Sequence, residues 1–250
     1  MKPSFSIFIV AGAALIFSLA GCGKNPQSSN AGNLKLSIRA ISGSPGLPGA
    51  FGRTGLLKKG ASAQAQQITI TSAKVVVGEI EFETSLRDSM DFESETPLVV
   101  NLDLTGMPTP LGTVSVPMGT YEEMEVEIEK LDPEDGQVYL ANPDLQNLSI
   151  SVQGYVDGDP NAVFVFASAI EEEQEWEFSP PLVIDASSPQ TNVVLSIDTR
   201  TWFSDGAGGY IDPRSGQNQK TIERNIKASI KVFEDEDDNG EDDDDDDDDD

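Results

Sequence analysis

The sequence predicts a mainly β protein built as a single antiparallel β-sandwich. From Ile68 onward, about eight or nine short segments alternate apolar with polar residues or are rich in β-branched residues. Turn clusters such as DPEDGQ and DGDPNA separate these segments. No helical pattern lies between these segments, whereas parallel strands would need helical crossovers to connect them. The pattern therefore favours antiparallel sheets.

The first predicted strand is LKLSIRAI, which begins at Leu34 and alternates cleanly. The next, ITITSAKVVVGEIEFET, places Val76, Ile80 and Phe82 on one face. The stretch GTVSVPMGTYEEMEVEIEKL directs Met124, Val126 and Ile128 inward. Further strands are predicted in PLVVNLDL, LSISVQGYV, AVFVFASAI, EWEF, PLVIDA and NVVLSID.

The C-terminal stretch TIERNIKASIKVF is the one part of the body with a helical pattern. Ile222, Ile226, Ile230 and Phe233 are spaced by four, four and three residues, which predicts a short helix. The same stretch also suits a last strand with alternate residues inward, starting at Ala228. We expect the helix.

The N-terminal sequence predicts an export signal. Lys2 is followed by an apolar run that is too short for a permanent transmembrane helix. The run closes on Leu19-Ala20-Gly21-Cys22, which resembles the lipobox of bacterial lipoproteins, and this resemblance implies cleavage between Gly21 and Cys22 and covalent lipid on Cys22. The alternative is an ordinary cleaved signal with an incidental cysteine. Cys22 is the only cysteine, so acylation accounts for a thiol that has no disulfide partner.

These features divide the chain into a signal peptide at 1–21, a lipidated tether at 22–33, a β-sandwich domain at 34–232 and an acidic tail at 233–250. A flexible insert rich in Gly, Pro, Ala and Gln is predicted at 42–67. Lipidation predicts a membrane-anchored protein of the cell envelope. Gly23 stands where lipoproteins retained at the inner membrane carry aspartate, so the outer membrane is expected in a Gram-negative host.

Charge is distributed unevenly along a chain whose net charge is −28. Residues 23–67 contain six Lys and Arg and no acid, whereas residues 68–232 contain 29 acids and nine bases. The last 18 residues add 15 acids and no base. This balance excludes nucleic acid as a partner.

The stretches ITSAKVVVGEIEFE, VVNLDL and VPMGTYEEMEVEIEKL resemble a family of uncharacterised bacterial surface lipoproteins. The resemblance covers about residues 34–242 and implies a prealbumin-like or immunoglobulin-like sandwich of unknown function. Turn chemistry explains its most recognisable part, Pro117-Met118-Gly119-Thr120-Tyr121. Pro117 restricts the backbone, Gly119 can take a positive φ, and Tyr121 packs its ring while its hydroxyl finds a partner.

Catalytic signatures are absent from the sequence. There is no histidine, which removes the commonest general base and the imidazole ligands of most catalytic zinc sites. GAGG, which begins at Gly206, lacks the Lys and Ser/Thr of a phosphate-binding loop. We therefore predict that the protein is not an enzyme.

Two acidic features are the candidate sites. The first is a set of glutamates on the outward faces of predicted strands: Glu79, Glu81, Glu83, Glu123, Glu125, Glu127, Glu129, Glu175 and Glu177. If these strands are neighbours, like charges lie about 5 Å apart and destabilise the sheet. Divalent cations, a basic partner or plain salt would relieve this repulsion, and a merely solvated face is the alternative.

The second feature is the tail FEDEDDNGEDDDDDDDDD. Its spacing matches the start of an EF-hand-type calcium loop. The expected ligands are Asp235, Asp237, Asn239, Glu241 through its carbonyl, Asp243 and Asp246. A disordered polyanion that binds cations diffusely is the alternative, because nine consecutive aspartates satisfy many patterns.

The expected function is a lipid-anchored, non-catalytic β-sandwich module for binding or structure, with Ca²⁺ as a candidate cofactor. A basic protein and a glycan are the candidate partners. The alternative function is a carboxylate-based hydrolase acting on envelope or extracellular glycans. A cleft that holds two converging carboxylates, lined by Trp176 or Trp202, would favour the hydrolase. A closed sandwich with both tryptophans in its core would favour the module.

Overall fold

The computed structural model of the chain describes residues 31–42, 64–65, 67–84, 92–94, 96–185 and 190–234. It confirms a mainly β protein consistent with a β-sandwich. The strands are Ala31–Ile41 (β1), Gln64–Ala65 (β2), Ile68–Thr84 (β3), Phe92–Ser94 (β4), Leu98–Asn101 (β5), Thr109–Pro117 (β6), Gly119–Ile128 (β7), Ile150–Val156 (β8), Val163–Ser168 (β9), Glu172–Ile184 (β10), Gln190–Asp198 (β11), Tyr210–Ile211 (β12) and Ile230–Glu234 (β13). The helices are Gln137–Ala141 (α1) and Gln219–Lys227 (α2), each preceded by a short 3₁₀ turn.

Two sheets enclose one main core. A four-stranded sheet has the order β13-β11-β1-β6, and a seven-stranded sheet is built around β3. The core takes side chains from both sheets, including Leu36 and Leu195 from the smaller one and Phe82 and Phe166 from the larger one. Among the described strand pairs, β1 with β11 is parallel, whereas all the others are antiparallel.

The register around β3 makes the larger sheet long rather than wide. Val75 of β3 lies opposite Val100 of β5 and also opposite Ile150 of β8. Because a strand pairs with one neighbour along each edge, β5 and β8 lie on opposite edges of β3. Val77 likewise lies between β5 and Ile128 of β7. β8 and β7 therefore follow one edge of β3 in succession, and β9 and β10 follow in the same way beyond them.

Residues 129–149 leave the sheet between β7 and β8 and form a second, small core. Val76 is fully buried there with Leu131 and Leu145. The prediction that Val76 shares a face with Ile80 and Phe82 is wrong. The pairing of β3 with β7 shifts between Val77 and Ile80, and the extra residue reverses the alternation.

The corner between β6 and β7 carries the chain from one sheet to the other. Tyr121 is fully buried, and its hydroxyl donates a hydrogen bond to the carbonyl oxygen of Pro117 at 2.8 Å. The ring of Tyr121 packs edge-on against Phe82. The predicted packing and hydrogen bond of Tyr121 are confirmed, and the motif resembles the tyrosine corners of other sandwiches. The prediction of a positive φ at Gly119 is wrong, because Gly119 begins β7.

The C-terminal stretch contains a helix followed by a strand, so each predicted alternative is present in part. Ile222 and Ile226 are buried on α2, as the helical spacing predicts. The prediction that the helix continues to Ile230 and Phe233 is wrong, because the helix ends at Lys227 and Ile230 begins β13. Ser229 at this junction is buried and accepts a hydrogen bond from the indole nitrogen of Trp202.

Several predicted boundaries move by a few residues. β1 begins at Ala31, inside the predicted tether, and β13 extends to Glu234, past the predicted start of the tail. β2 lies within the predicted insert and pairs with β12. No helix in the described part of the chain is long and apolar enough to cross a membrane.

Candidate functional site: a glutamate face

The candidate site is centred on β7, where residue types alternate from Glu123 to Ile128. Met124, Val126 and Ile128 are buried in the main core. Glu123, Glu125 and Glu127 project to the opposite face because successive side chains of a strand point to opposite sides. The predicted inward and outward faces of this strand are confirmed.

Neighbouring strands bring further glutamates into register with those of β7. Glu125 lies opposite Glu81 of β3 on one side and Glu175 of β10 on the other. Glu93 of β4 lies opposite Glu81, so this row crosses four strands. Directly opposed side chains lie about 5 Å apart at their Cβ atoms.

Two more rows flank this one. Glu83, Glu123 and Glu177 form the second, and Glu127 with Glu173 forms the third. We name the resulting surface the glutamate face and define it by these residues: Glu81, Glu83, Glu93, Glu123, Glu125, Glu127, Glu173, Glu175 and Glu177.

Burial and mutual repulsion raise the pKa values of two glutamates in the glutamate face. Partial burial, followed by the charges of Glu83, Glu175 and Glu177, raises the pKa of Glu123 above its ordinary value. Partial burial, followed by four neighbouring glutamates, raises the pKa of Glu125. The protonated forms are favoured because burial disfavours the charged form and because each deprotonation adds a charge beside existing ones.

The carboxylate oxygens converge in two groups. Those of Glu81, Glu83 and Glu125 lie within 4.8 Å of one another, as do those of Glu125, Glu127 and Glu173. Glu125 belongs to both groups. Several carboxylate oxygens at close range are the donor set that Ca²⁺ prefers in proteins.

Basic residues lie at the margins of this region. The strands β4, β7 and β10 contain no Lys or Arg. The single base of β3, Lys74, forms an ion pair with Asp144 at 2.7 Å. Lys130, just past the end of β7, forms an ion pair with Glu171.

The remaining predicted glutamates lie beside the face. Glu79 lies where the pairing of β3 with β7 shifts, and its charge contributes to the raised pKa of Glu125. Glu129 follows the end of β7, and its side chain occupies the space that a side chain at Gly78 would need. Burial, followed by nearby acids, raises the pKa of Glu129.

Sequence reasoning missed two members of the face, Glu93 and Glu173. Glu173 has the same alternation as Glu175 and Glu177, so its signal was present in the sequence. Glu93 lies in a strand of three residues, which is too short to show a period.

The predicted lipidation and calcium sites cannot be placed against the glutamate face. Gly21 and Cys22 lie outside the described residues. So do all the predicted ligands of the tail: Asp235, Asp237, Asn239, Glu241, Asp243 and Asp246.

A cavity of about 410 Å³ lies at one end of the four-stranded sheet, next to the end of α2. Among the described residues that line it, Asp198 is the one carboxylate, and it forms an ion pair with Arg200 at 2.8 Å. Trp202 is fully buried, and Trp176 packs half-buried against the main core, so neither tryptophan lines this cavity. The described part of its lining therefore does not bring together two carboxylates.

Comparisons with known proteins found no match among family models, curated proteins or solved structures. The resemblance to bacterial surface lipoproteins therefore stays a prediction.

Proposed function

We propose that this protein is a lipid-anchored, non-catalytic β-sandwich module of the bacterial cell envelope that binds a cationic partner through its glutamate face. The observation that carries the proposal is the register of β4, β3, β7 and β10, which aligns nine glutamates on one surface. The predicted lipidation of Cys22 supports the location.

The three rows of the glutamate face destabilise the sheet when no cation is bound to them. Like charges placed directly opposite on neighbouring strands destabilise a sheet. Here the cost is repeated across three rows on strands whose own residues supply almost no positive charge. A cationic ligand removes the repulsion on binding, and that relief contributes to its affinity.

We propose the surface of a basic protein as the partner of the glutamate face. A flat sheet surface with regularly spaced carboxylates offers many acceptors for Arg and Lys side chains. It does not enclose a small ligand, because the glutamates lie on an outer face of the sandwich rather than in the cavity beside α2.

Calcium is the second ligand that we propose, at the acidic C-terminus. Asp235, Asp237 and Asn239 would supply the first ligands, Glu241 its carbonyl, and Asp243 and Asp246 the last ones. The sequence spacing alone supports this part of the proposal, because these residues lie outside the described ones.

Calorimetric titration separates the two parts. The protein from Gly23 onward would be titrated with Ca²⁺, beside a tail variant with Asp235, Asp237 and Asn239 changed to Ala. A face variant, Glu81→Gln with Glu125→Gln, would be measured in parallel. A saturable site that only the tail variant loses supports the calcium loop. Weak Ca²⁺ binding of equal strength in the tail variant would show that the loop is not a specific calcium site.

A matched pair of variants tests the basic partner. An Arg- and Lys-rich peptide would be titrated into the face variant and into a control, Glu122→Gln with Glu134→Gln, which has the same net charge. Affinity that falls at least tenfold in the face variant and little in the control supports a specific surface. Equal losses would show that only total charge matters and would contradict the proposal.

Anchoring has its own test. Mass spectrometry of the N-terminal peptide from cells should find Cys22 as the first residue, carrying acyl chains. Cys22→Ala should abolish acylation and release the protein from the membrane fraction. An unmodified Cys22 would contradict the lipid anchor.

A further inference from the structure

The edge of β9 differs from the other sheet edges in the described part of the chain. Exposed edges invite pairing with other chains, and proteins protect them with charges, prolines, shifts in register or very short strands. β4 and β5 are three and four residues long, and β10 carries glutamates, Pro180 and Pro181. β6 contains two prolines, and β13 is five residues long with Lys231 and Glu234.

β9 has none of these protections. Its six residues, VFVFAS, include no charge and no proline, and its pairing with β8 is unbroken. Val163 and Val165 are 65% and 66% exposed, which makes them the most exposed valines in the described part of the chain. β8 also contains no charged residue, so this half of the long sheet is neutral on both strands.

The hydrogen bonds at both ends of β9 show which backbone groups face outward. The carbonyl groups of Ala162 and Ser168 accept hydrogen bonds from Val156 and Ser149, toward β8. Ladder bonds of an antiparallel pair alternate along the strand, so the backbone groups of Val163 and Val165 point to the free edge.

α2 and the turn before it cover only the far end of this edge. Gln219 donates a hydrogen bond to the carbonyl oxygen of Ala167, and Ser168 donates one to Glu223. Lys227 forms an ion pair with Glu172 just beyond. The open part of β9 is therefore the stretch from Val163 to Phe166.

We propose that β9 pairs antiparallel with β9 of a second copy of this chain, about a two-fold axis at Phe164. Val163 then lies opposite Val165 of the second copy, and the two valine pairs exchange backbone hydrogen bonds. The four exposed valine side chains come together on the outer face of a continuous sheet. The stretch is its own partner, as an isologous interface requires.

A second copy fits this edge because its exposed residues, Val163 and Val165, are placed symmetrically about Phe164 and carry no charge. A chain with a net charge of −28 repels its own copies unless the contact is neutral and the charged regions stay apart.

β10 follows β9 along the same edge of the sheet. In the antiparallel dimer, the glutamate faces of the two copies therefore lie in opposite directions from the two-fold axis. Glu173 of β10 lies nine residues from Phe164, or up to about 30 Å, which exceeds the screening length of about 8 Å at physiological salt. Asp159 and Glu223, the acceptor of the Ser168 hydroxyl, lie nearer to the axis, so salt is needed to screen their repulsion between copies.

Sedimentation velocity tests this dimer on the protein from Gly23 to Asp250, which keeps every described residue. We expect a concentration-dependent monomer–dimer equilibrium that strengthens from 0.05 to 0.5 M NaCl (about tenfold in ionic strength) because salt screens the net charge. Val165→Lys should weaken the dimer at least tenfold. Val183→Lys makes the same charge change at an exposed valine of β10 and should leave it unchanged.

A cross-linking experiment keeps the test valid if Val165→Lys fails to fold. Because Cys22 is the only cysteine, the protein from Gly23 has none, and single cysteines can be introduced at will. A short bismaleimide should join Val165→Cys into dimers and leave Val183→Cys monomeric. A monomer at all concentrations, assemblies larger than a dimer, or equal cross-linking of both variants would overturn the proposal.

Discussion

Glu125 of β7 lies directly opposite Glu175 of β10, and both project from the outer face of the larger sheet. Opposite charges are the favourable arrangement at such a position, whereas two carboxylates repel each other. Because Glu125 also lies opposite Glu81, it is the residue on which the repulsion of the glutamate face converges.

Removing the charge of Glu125 should therefore stabilise the fold. We expect Glu125→Gln to raise the free energy of unfolding by up to about 1 kcal/mol at low salt, since it relieves repulsion on both sides. The gain should shrink in 1 M NaCl, where the screening length falls to about 3 Å. Urea unfolding at both salt concentrations measures it.

Glu134→Gln is the matched control for this variant. It removes one negative charge from an exposed residue of a 3₁₀ turn, outside the glutamate face. Its effect should be small. Equal gains in the two variants would mean that net charge, rather than the rows of glutamates, sets the stability.

The pH dependence of stability should follow the two classes of carboxyl group. Glu123 and Glu125 have pKa values raised above 4.5, so the native state binds their protons more tightly than the unfolded chain does. Lowering the pH from 7.5 to 5 should therefore raise the melting temperature. Glu123→Gln with Glu125→Gln should flatten this rise.

Below that range the trend should reverse. The pKa values of Asp144 and Asp212 lie below 3.8, because Lys74 and Arg214 respectively hydrogen-bond their carboxylates. The stability that these groups contribute is lost as the pH falls through their folded-state pKa values. A melting temperature that falls steadily from pH 7.5 downward would contradict the raised pKa values of Glu123 and Glu125.

The hydrogen bond of Tyr121 should contribute measurably to stability. Tyr121→Phe keeps the buried ring but leaves the carbonyl oxygen of Pro117 without this donor, which should cost about 1–2 kcal/mol. Denaturant unfolding measures the loss, with Tyr210→Phe, at a half-buried tyrosine of β12, as the control. A loss no larger than the control's would show that the corner is held by packing alone.

Two glycines of the larger sheet should respond differently to the same substitution. A Cβ atom at Gly154 would collide with the backbone carbonyl of Thr69 and lie 2.8 Å from the ring of Phe164. Gly154→Ala should therefore destabilise the protein by about 2 kcal/mol or more.

The three atoms nearest to a Cβ atom at Gly78 would all belong to the side chain of Glu129. That side chain can move into solvent, so Gly78→Ala should change the free energy of unfolding by less than about 1 kcal/mol. Thermal unfolding of both variants makes the comparison. A larger effect at Gly78 than at Gly154 would contradict the close packing of β3 against β8.

The sequence alone determined most of the strands, because side-chain alternation is a local property that survives without knowledge of the partners. The inward residues of β7 and the outward glutamates on either side of Glu125 follow from this period of two. The helix stripe of Ile222 and Ile226 was readable for the same reason, since it repeats within nine residues.

Only the tertiary structure decided which strands are neighbours and where the register shifts. The shift in β3 moves Val76 into a separate small core, and no local pattern marks an extra residue in a strand. Long-range pairing also decided that Glu93, Glu81, Glu125 and Glu175 form one row, and that β9 is a neutral edge strand in the described part of the chain. The alternation of a strand depends only on its own few residues, whereas the choice of neighbouring strands depends on packing between segments far apart in the chain.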